Sequence, residues 1–136
     1  RALRGMPPDL VLCSTATRAD ETAQHALASA YLTPTVKRLG ELYESDVARH
    51  LEAVRYVAES GCASCERLLI VGHNPTLQGF VSQLVSRPVT MRTGALAVVA
   101  LSIQHWGEID ASTRGVLVGL FDPEMLKKKA RAGLSS

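Results

Sequence analysis

Aromatic residues are scarce, at 4% of the 136-residue chain. Proteins that hold single-stranded nucleic acid stack bases on aromatic rings, so that role is excluded. Charge of one sign is lacking as well. Fifteen Lys and Arg stand against 13 Asp and Glu, a formal net charge of +2, too little to imply a polyanionic partner. The basic residues cluster only at Lys127-Lys128-Lys129 and Arg131, which reads as the solvated end of a helix. No apolar run approaches the ~20 residues that span a bilayer, and no secretory leader is visible. Cysteines number 3, and an odd count does not look like a secreted disulfide framework. The expectation is a cytoplasmic protein with no nucleic-acid partner and no membrane partner. The oligomeric state stays open.

One cysteine pair forms a CxxC, Cys62-Ala63-Ser64-Cys65. Zinc needs two more ligands, and the sequence holds no second CxxC and no paired histidine run. A redox pair would open a helix after a strand, whereas this one precedes a strand. An exposed loop is expected there. His25, His50 and His105 have no partner spacing and read as surface or helix-face residues.

What remains is ordinary for a globular protein: 46% apolar and 21% charged residues, in one domain over residues 1–136 by length. The chain opens at Arg1 rather than Met, in what reads as a helix end, and is expected to continue upstream. Asp9-Leu10-Val11-Leu12-Cys13 is a short apolar strand. Thr17 and Asp20 have capping-box spacing. Ala19, Ala23, Ala26, Leu27 and Ala30 then form one helical face. A weak edge strand is expected over 36–39. A helix starting at Ser45 or Asp46 follows, striped by Val47, Leu51, Val54 and Ala58. Residues 67–72 form a buried strand. The next helix carries Leu77, Phe80, Val81, Leu84 and Val85 on one stripe. Strands over 94–103 and 116–121 and a final helix from Asp122-Pro123 complete the chain. Alternating strands and helices with a strand-rich end predict an α/β fold, with a mainly parallel sheet covered on both faces.

Two strand-to-helix corners carry the chemistry. The first runs Cys13-Ser14-Thr15-Ala16-Thr17-Arg18 and the second Val71-Gly72-His73-Asn74-Pro75. In the second, Asn74 is expected to cap a helix whose first residue is Pro75. If both strands run parallel in one sheet, both corners reach the same rim, where open α/β sheets bind ligands. Helix N-termini there favour anions. Arg18 offers a planar fork of donors for phosphoryl oxygens. It also sits in a first helical turn, where a cation opposes the helix dipole and gains nothing structurally. His73 can donate a hydrogen bond or move a proton. Ser14 adds a hydroxyl. Taken singly, each has a plain alternative: Arg18 a solvated cation, His73 a satisfied turn histidine, Ser14 a turn residue.

Ser14-x-x-x-Arg18-Ala19-x-x-Thr22 resembles the second motif of the histidine phosphatase (phosphoglycerate mutase-like) superfamily, and Val71-Gly72-His73-Asn74-Pro75 resembles its later histidine motif. Leu42-Tyr43-Glu44, Thr93-Gly94-Ala95-Leu96-Ala97-Val98 and Phe121-Asp122-Pro123-Glu124-Met125-Leu126 are similar to stretches of the SixA-type phosphohistidine phosphatases. The resemblance covers about residues 9–126 in order. It implies a three-layer α/β/α sandwich with a mostly parallel central sheet. It also implies phosphoryl transfer to a nucleophilic histidine in an Arg-His-Gly or Arg-His-Ala motif, followed by hydrolysis, with no metal and no cofactor. Arg18 and His73 match the second arginine and second histidine of such a pocket. Ser14 would assist in binding phosphate, and Glu44 is a candidate proton donor, with a helix-start glutamate as the alternative.

The sequence departs from the pattern in one respect. It contains no Arg-His-Gly or Arg-His-Ala; Arg49-His50 is followed by Leu51. The nucleophile is therefore expected upstream, on the family's first strand. The implied substrate is a phosphorylated protein carrying phosphohistidine, or a small phosphorylated molecule. The alternatives are a phosphatase of small phosphate esters and a non-catalytic phosphate-binding or interaction domain.

Overall fold

The computed structural model describes residues 5–43, 46–59, 64–92 and 94–121. Strand β1 (Leu10–Ser14) has all five residues buried. Such a run is expected of a parallel strand covered on both faces. Alternation then sorts its side chains. Leu10 and Leu12 face Leu42, Ala53 and Val57 on one side. Val11 and Cys13 face Ala19, Ala23 and Leu27 on the other.

Helix α1 (Thr17–Ser29) supplies the second set. Its small alanines let the helix lie close to the sheet. The capping box does not form, because Ala16 is the N-cap and makes no side-chain bond. Asp20 instead accepts from Arg38 at 2.7 and 2.9 Å, an exposed ion pair to β2 (Thr35–Leu39). Exposed pairs of this kind add little stability. Helix α2 (Val47–Glu59) covers the opposite face. Asp46 Oδ1 accepts the Arg49 backbone N–H at 2.9 Å, so Asp46 is the cap. Leu51, Ala53, Val54 and Val57 point inward.

β1 lies between β2 and β3 (Leu68–Val71), parallel to both, with Leu10 opposite Thr35 and Leu68. Asp9 fixes this register at its start. Its carboxylate accepts from the Glu66 and Arg67 backbone at 2.7 and 2.9 Å. Helix α3 (Thr76–Val85) turns Phe80 and Leu84 toward α2. Strands β4 (Leu96–Leu101) and β5 (Gly115–Phe121) form a separate antiparallel pair. Gly115 lies against β4 so closely that a Cβ there would stand 2.5 Å from the Ala100 carbonyl oxygen. Trp106 Nε1 donates to the Cys65 carbonyl at 2.6 Å, tying the 3-10 turn Trp106–Glu108 to the entry of β3.

The β3 residues are each only partly buried, where the sequence suggested a buried strand. The reason is an apolar cavity of about 590 Å³ between β3 and β4, floored by Phe80, Val81 and Leu84 of α3. β3 is paired only with β1, and β4 only with β5, among the described residues. One edge of each strand therefore borders this slot. The parallel part of the sheet and its two covering layers match the sequence expectation, while the antiparallel pair stands apart from it.

Candidate functional site

β1 and β3 are parallel, so their carboxyl ends share a rim. The Ser14 and His73 corners meet there. A cavity of about 770 Å³ opens at this rim. Its wall includes Thr15 to Arg18 from the first corner, Leu42 and Tyr43 from the crossover, and His73 to Thr76 from the second. The α1 and α3 N-termini thus both face it. Each brings the positive end of a helix dipole to it, so the cavity is electrostatically suited to an anion. The apolar slot between β3 and β4 offers no such convergence of donors.

His73 Nε2 and Ser14 Oγ are hydrogen-bonded at 2.8 Å. Ser14 Oγ also accepts from the Ala16 N–H at 3.2 Å. A hydroxyl has one proton and two lone pairs, so with one lone pair taken by Ala16 it can still donate to Nε2 or accept from it. When Ser14 donates, the ring proton lies on Nδ1, where it can be offered to a ligand. Ser14 itself is 0% exposed. It stands behind His73 rather than on the cavity wall. Tyr43 meets the His73 ring edge to face, with centroids 5.6 Å apart and planes at 87°. Aromatic pairs favour that geometry, and it gives the imidazole a second restraint beside its hydrogen bond. Leu42, 1% exposed, anchors this wall in the core.

Arg18 is exposed on the cavity rim. Among the described residues its guanidinium pairs with no carboxylate, which leaves its fork of donors for a ligand. The structure therefore brings Arg18 and His73 to one cavity. Glu44 lies outside the described residues, as do Cys62 and Thr93. Cys65 is buried and disulfide-bonded, not exposed in a loop. Among the described residues no group of three or more His, Cys, Asp or Glu is placed to hold a metal ion.

The second corner is shifted by one residue from its sequence reading. Helix α3 begins at Thr76, and Pro75 is the N-cap. Asn74 still serves the helix. Its Oδ1 accepts the Gln78 N–H at 3.3 Å, and its Nδ2 donates to the Met91 carbonyl at 2.7 Å. Asn74 thereby ties the corner to the loop before β4. Tyr43 is the wall residue that the sequence reading did not single out. Its signal was its place between Leu42 and Glu44.

His50 was expected to be a bland helix-face residue, yet it is 1% exposed, directly beneath this corner. Its Nδ1 is bonded to the Asp46 carbonyl at 3.0 Å. A carbonyl only accepts, so Nδ1 carries the proton. Burial pushes the imidazole below its ordinary value of 6.5, against the opposing effect of that hydrogen bond. The unfolded chain therefore binds the proton more readily than the folded one, and folding stability falls as pH drops below about 6.5. We expect the urea midpoint to fall between about pH 7.5 and about pH 5.5, with a smaller fall in His50→Leu. A midpoint that is flat over this interval in the unmodified protein would contradict the assignment. Asp9 acts in a different window. Backbone N–H groups of Arg67 and Glu66 hold its carboxyl below 3.8, so its contribution is lost only at stronger acidity.

The comparisons with known proteins agree with this fold. No protein-family model matches the sequence, and no curated protein matches it. Solved structures do. A protein of Nakamurella multipartitia assigned as a phosphohistidine phosphatase SixA is 27% identical with a TM-score of 0.71; the match covers 89% of this chain and 75% of that one. A protein of Agrobacterium tumefaciens with the same assignment is 24% identical at a TM-score of 0.65, covering 90% and 72%. A protein histidine phosphatase SixA complexed with tungstate is 24% identical at 0.71, covering 92% and 76%. The latter two establish the shared fold alone. No helix among the described residues is long and apolar enough to cross a membrane. In fold, the chain is similar to phosphohistidine phosphatases of the SixA type.

Proposed function

We propose that the protein is a phosphohistidine phosphatase acting in the cytoplasm on a histidine-phosphorylated protein. One observation carries this reading: Ser14 holds His73 by Nε2 beside a cavity whose rim bears Arg18. Such a pair suits a phosphoryl group better than a carboxylate or a neutral ligand. Arg18 can grip two oxygens at once, and His73 Nδ1–H can meet a third. His73 is set in place before the reaction by Ser14 and Tyr43, and with Arg18 it would stabilise charge as it shifts during transfer. Tungstate, the ligand of one SixA structure, is a tetrahedral oxyanion of the same shape.

The nucleophile in this reading is a histidine upstream of Arg1, on a strand that the slot between β3 and β4 would accommodate. Support comes from the strand edges bordering that slot and from its apolar floor. A strand seated parallel to β3 would end beside His73. The nucleophilic nitrogen would attack phosphorus, and the substrate's P–N bond would break. Glu44 is the candidate to protonate the departing imidazole. Water would then attack the phosphorylated enzyme histidine, releasing inorganic phosphate and regenerating the nucleophile.

The test uses the native protein with three substrate classes: a histidine-phosphorylated carrier protein, a sugar phosphate and an aryl phosphate. Preferential release of phosphate from the carrier is the expected result. Preference for the esters would replace the substrate class with small phosphate esters. Tungstate binding without turnover of any substrate would replace the enzyme with a phosphate-binding domain.

A further inference from the structure

The turn that presents His73 has a glycine at its base. Gly72 brings no side chain of its own to hold the turn. A Cβ placed on Gly72 would meet His50 Nε2 at 3.5 Å, an ordinary van der Waals distance. The imidazole edge of His50 therefore faces this turn directly. From the other end the ring is tethered by Nδ1 to the Asp46 carbonyl at 3.0 Å. Its flank rests on Phe80, with centroids 5.6 Å apart and planes at 52°. Tether and flank leave the ring little freedom to rotate.

We propose that His50 is a positioning residue of the phosphoryl site: its tethered imidazole backs the Gly72 turn and keeps His73 in the orientation that Ser14 receives. The proposal rests on the phosphoryl-site reading above.

Desolvation supports it. Burying a polar ring costs free energy that an aliphatic side chain would not incur. The inward neighbours on the same helix, Leu51, Ala53, Val54 and Val57, are all apolar, and leucine would fill such a place more cheaply. What imidazole adds is a fixed orientation, since the Asp46 bond selects one rotamer and puts the proton on Nδ1. The ring then presents its Nε2 edge toward Gly72. Charge is consistent with this. Asp46 and His73 are the titratable groups that act on His50, the first favouring its charged form and the second opposing it. A neutral His50 places no positive charge behind the His73 turn.

The test compares His50→Leu and His50→Asn in the native protein, with two readouts. One is the ¹⁵N shift of the His73 ring nitrogens, which reports the tautomer held by Ser14. The other is the affinity for tungstate. His50→Leu is expected to average the His73 tautomers and weaken tungstate binding about tenfold, the effect of roughly one misplaced charge-assisted donor. His50→Asn keeps a donor for the Asp46 carbonyl and is expected to stay within about threefold of the unmodified protein. A folded His50→Leu with unaltered His73 shifts and unaltered tungstate affinity would overturn the proposal. If that variant does not fold, His50→Gln takes its place under the same criteria, since its longer side chain loses the tether. Failure of the phosphoryl-site reading is distinguishable. In that case the unmodified protein does not bind tungstate, while the His73 shifts still report whether His50 sets the turn.

Discussion

Replacing His73 with alanine in the native protein is expected to lower turnover by about 10²–10³-fold, the usual cost of losing one preorganised transition-state donor. Arg18→Ala is expected to fall in the same range. The two variants should differ in detail. Arg18 is exposed and grips through a fork, so its loss should raise the tungstate dissociation constant as well as lower kcat. Arg18→Lys should recover little, because an ammonium is a point donor and cannot make two parallel bonds. His73 is braced by Ser14 at 2.8 Å and by Tyr43 edge to face, so its loss should act mainly on kcat. Neither change should unfold the protein, since both side chains line an open cavity and neither belongs to the buried core. Steady-state kinetics on a histidine-phosphorylated carrier, with a urea melt of each variant, checks all of this. Near-normal turnover in both variants would remove the site assignment.

A second large effect is expected in the core. Leu12 is 1% exposed at the middle of the central strand. It packs in one cluster with Leu10, Leu42, Ala53 and Val57. Leu12→Ala should cost about 2–5 kcal/mol, the transfer term plus a residual cavity, because strands on both sides and helices on both faces limit collapse. That is a large share of the stability of a typical domain, about 5–15 kcal/mol. Leu42 carries Tyr43 on the cavity wall, so the same change should loosen the brace on His73. Tungstate affinity should drop together with the urea midpoint. A loss below about 1 kcal/mol would mean that the cluster closes over the gap, and that the central strand is not rigidly held.

The candidate site was legible in the sequence to the extent that its parts are local. Ser14, Arg18 and His73 stand at strand-to-helix corners, and corner residues are encoded by short patterns: an apolar run, a small residue, a polar residue before a helical stripe. The faces of α1 and α2 followed from spacing alone, as Ala19, Ala23 and Leu27 on one and Leu51 and Val54 on the other show. Local competition defeated finer readings. Asp20 had the spacing of a capping box but found Arg38 across the sheet, a stronger acceptor–donor match than a backbone N–H. Asn74 reached Met91 and Gln78, which moved the start of α3 by one residue.

By itself the sequence determined the α/β class, the parallel strands and the two corners, because periodicity and turn chemistry act between residues a few positions apart. Only the tertiary structure decided three other matters. It placed Ser14 behind His73 rather than on the cavity wall. It opened the slot between β3 and β4, which leaves a nominally buried strand half covered. It turned His50 inward beneath Gly72, where spacing alone suggested a bland helix face. Each depends on contacts between segments tens of residues apart, and such contacts are selected by the packing of the whole core, not by the local pattern at either end.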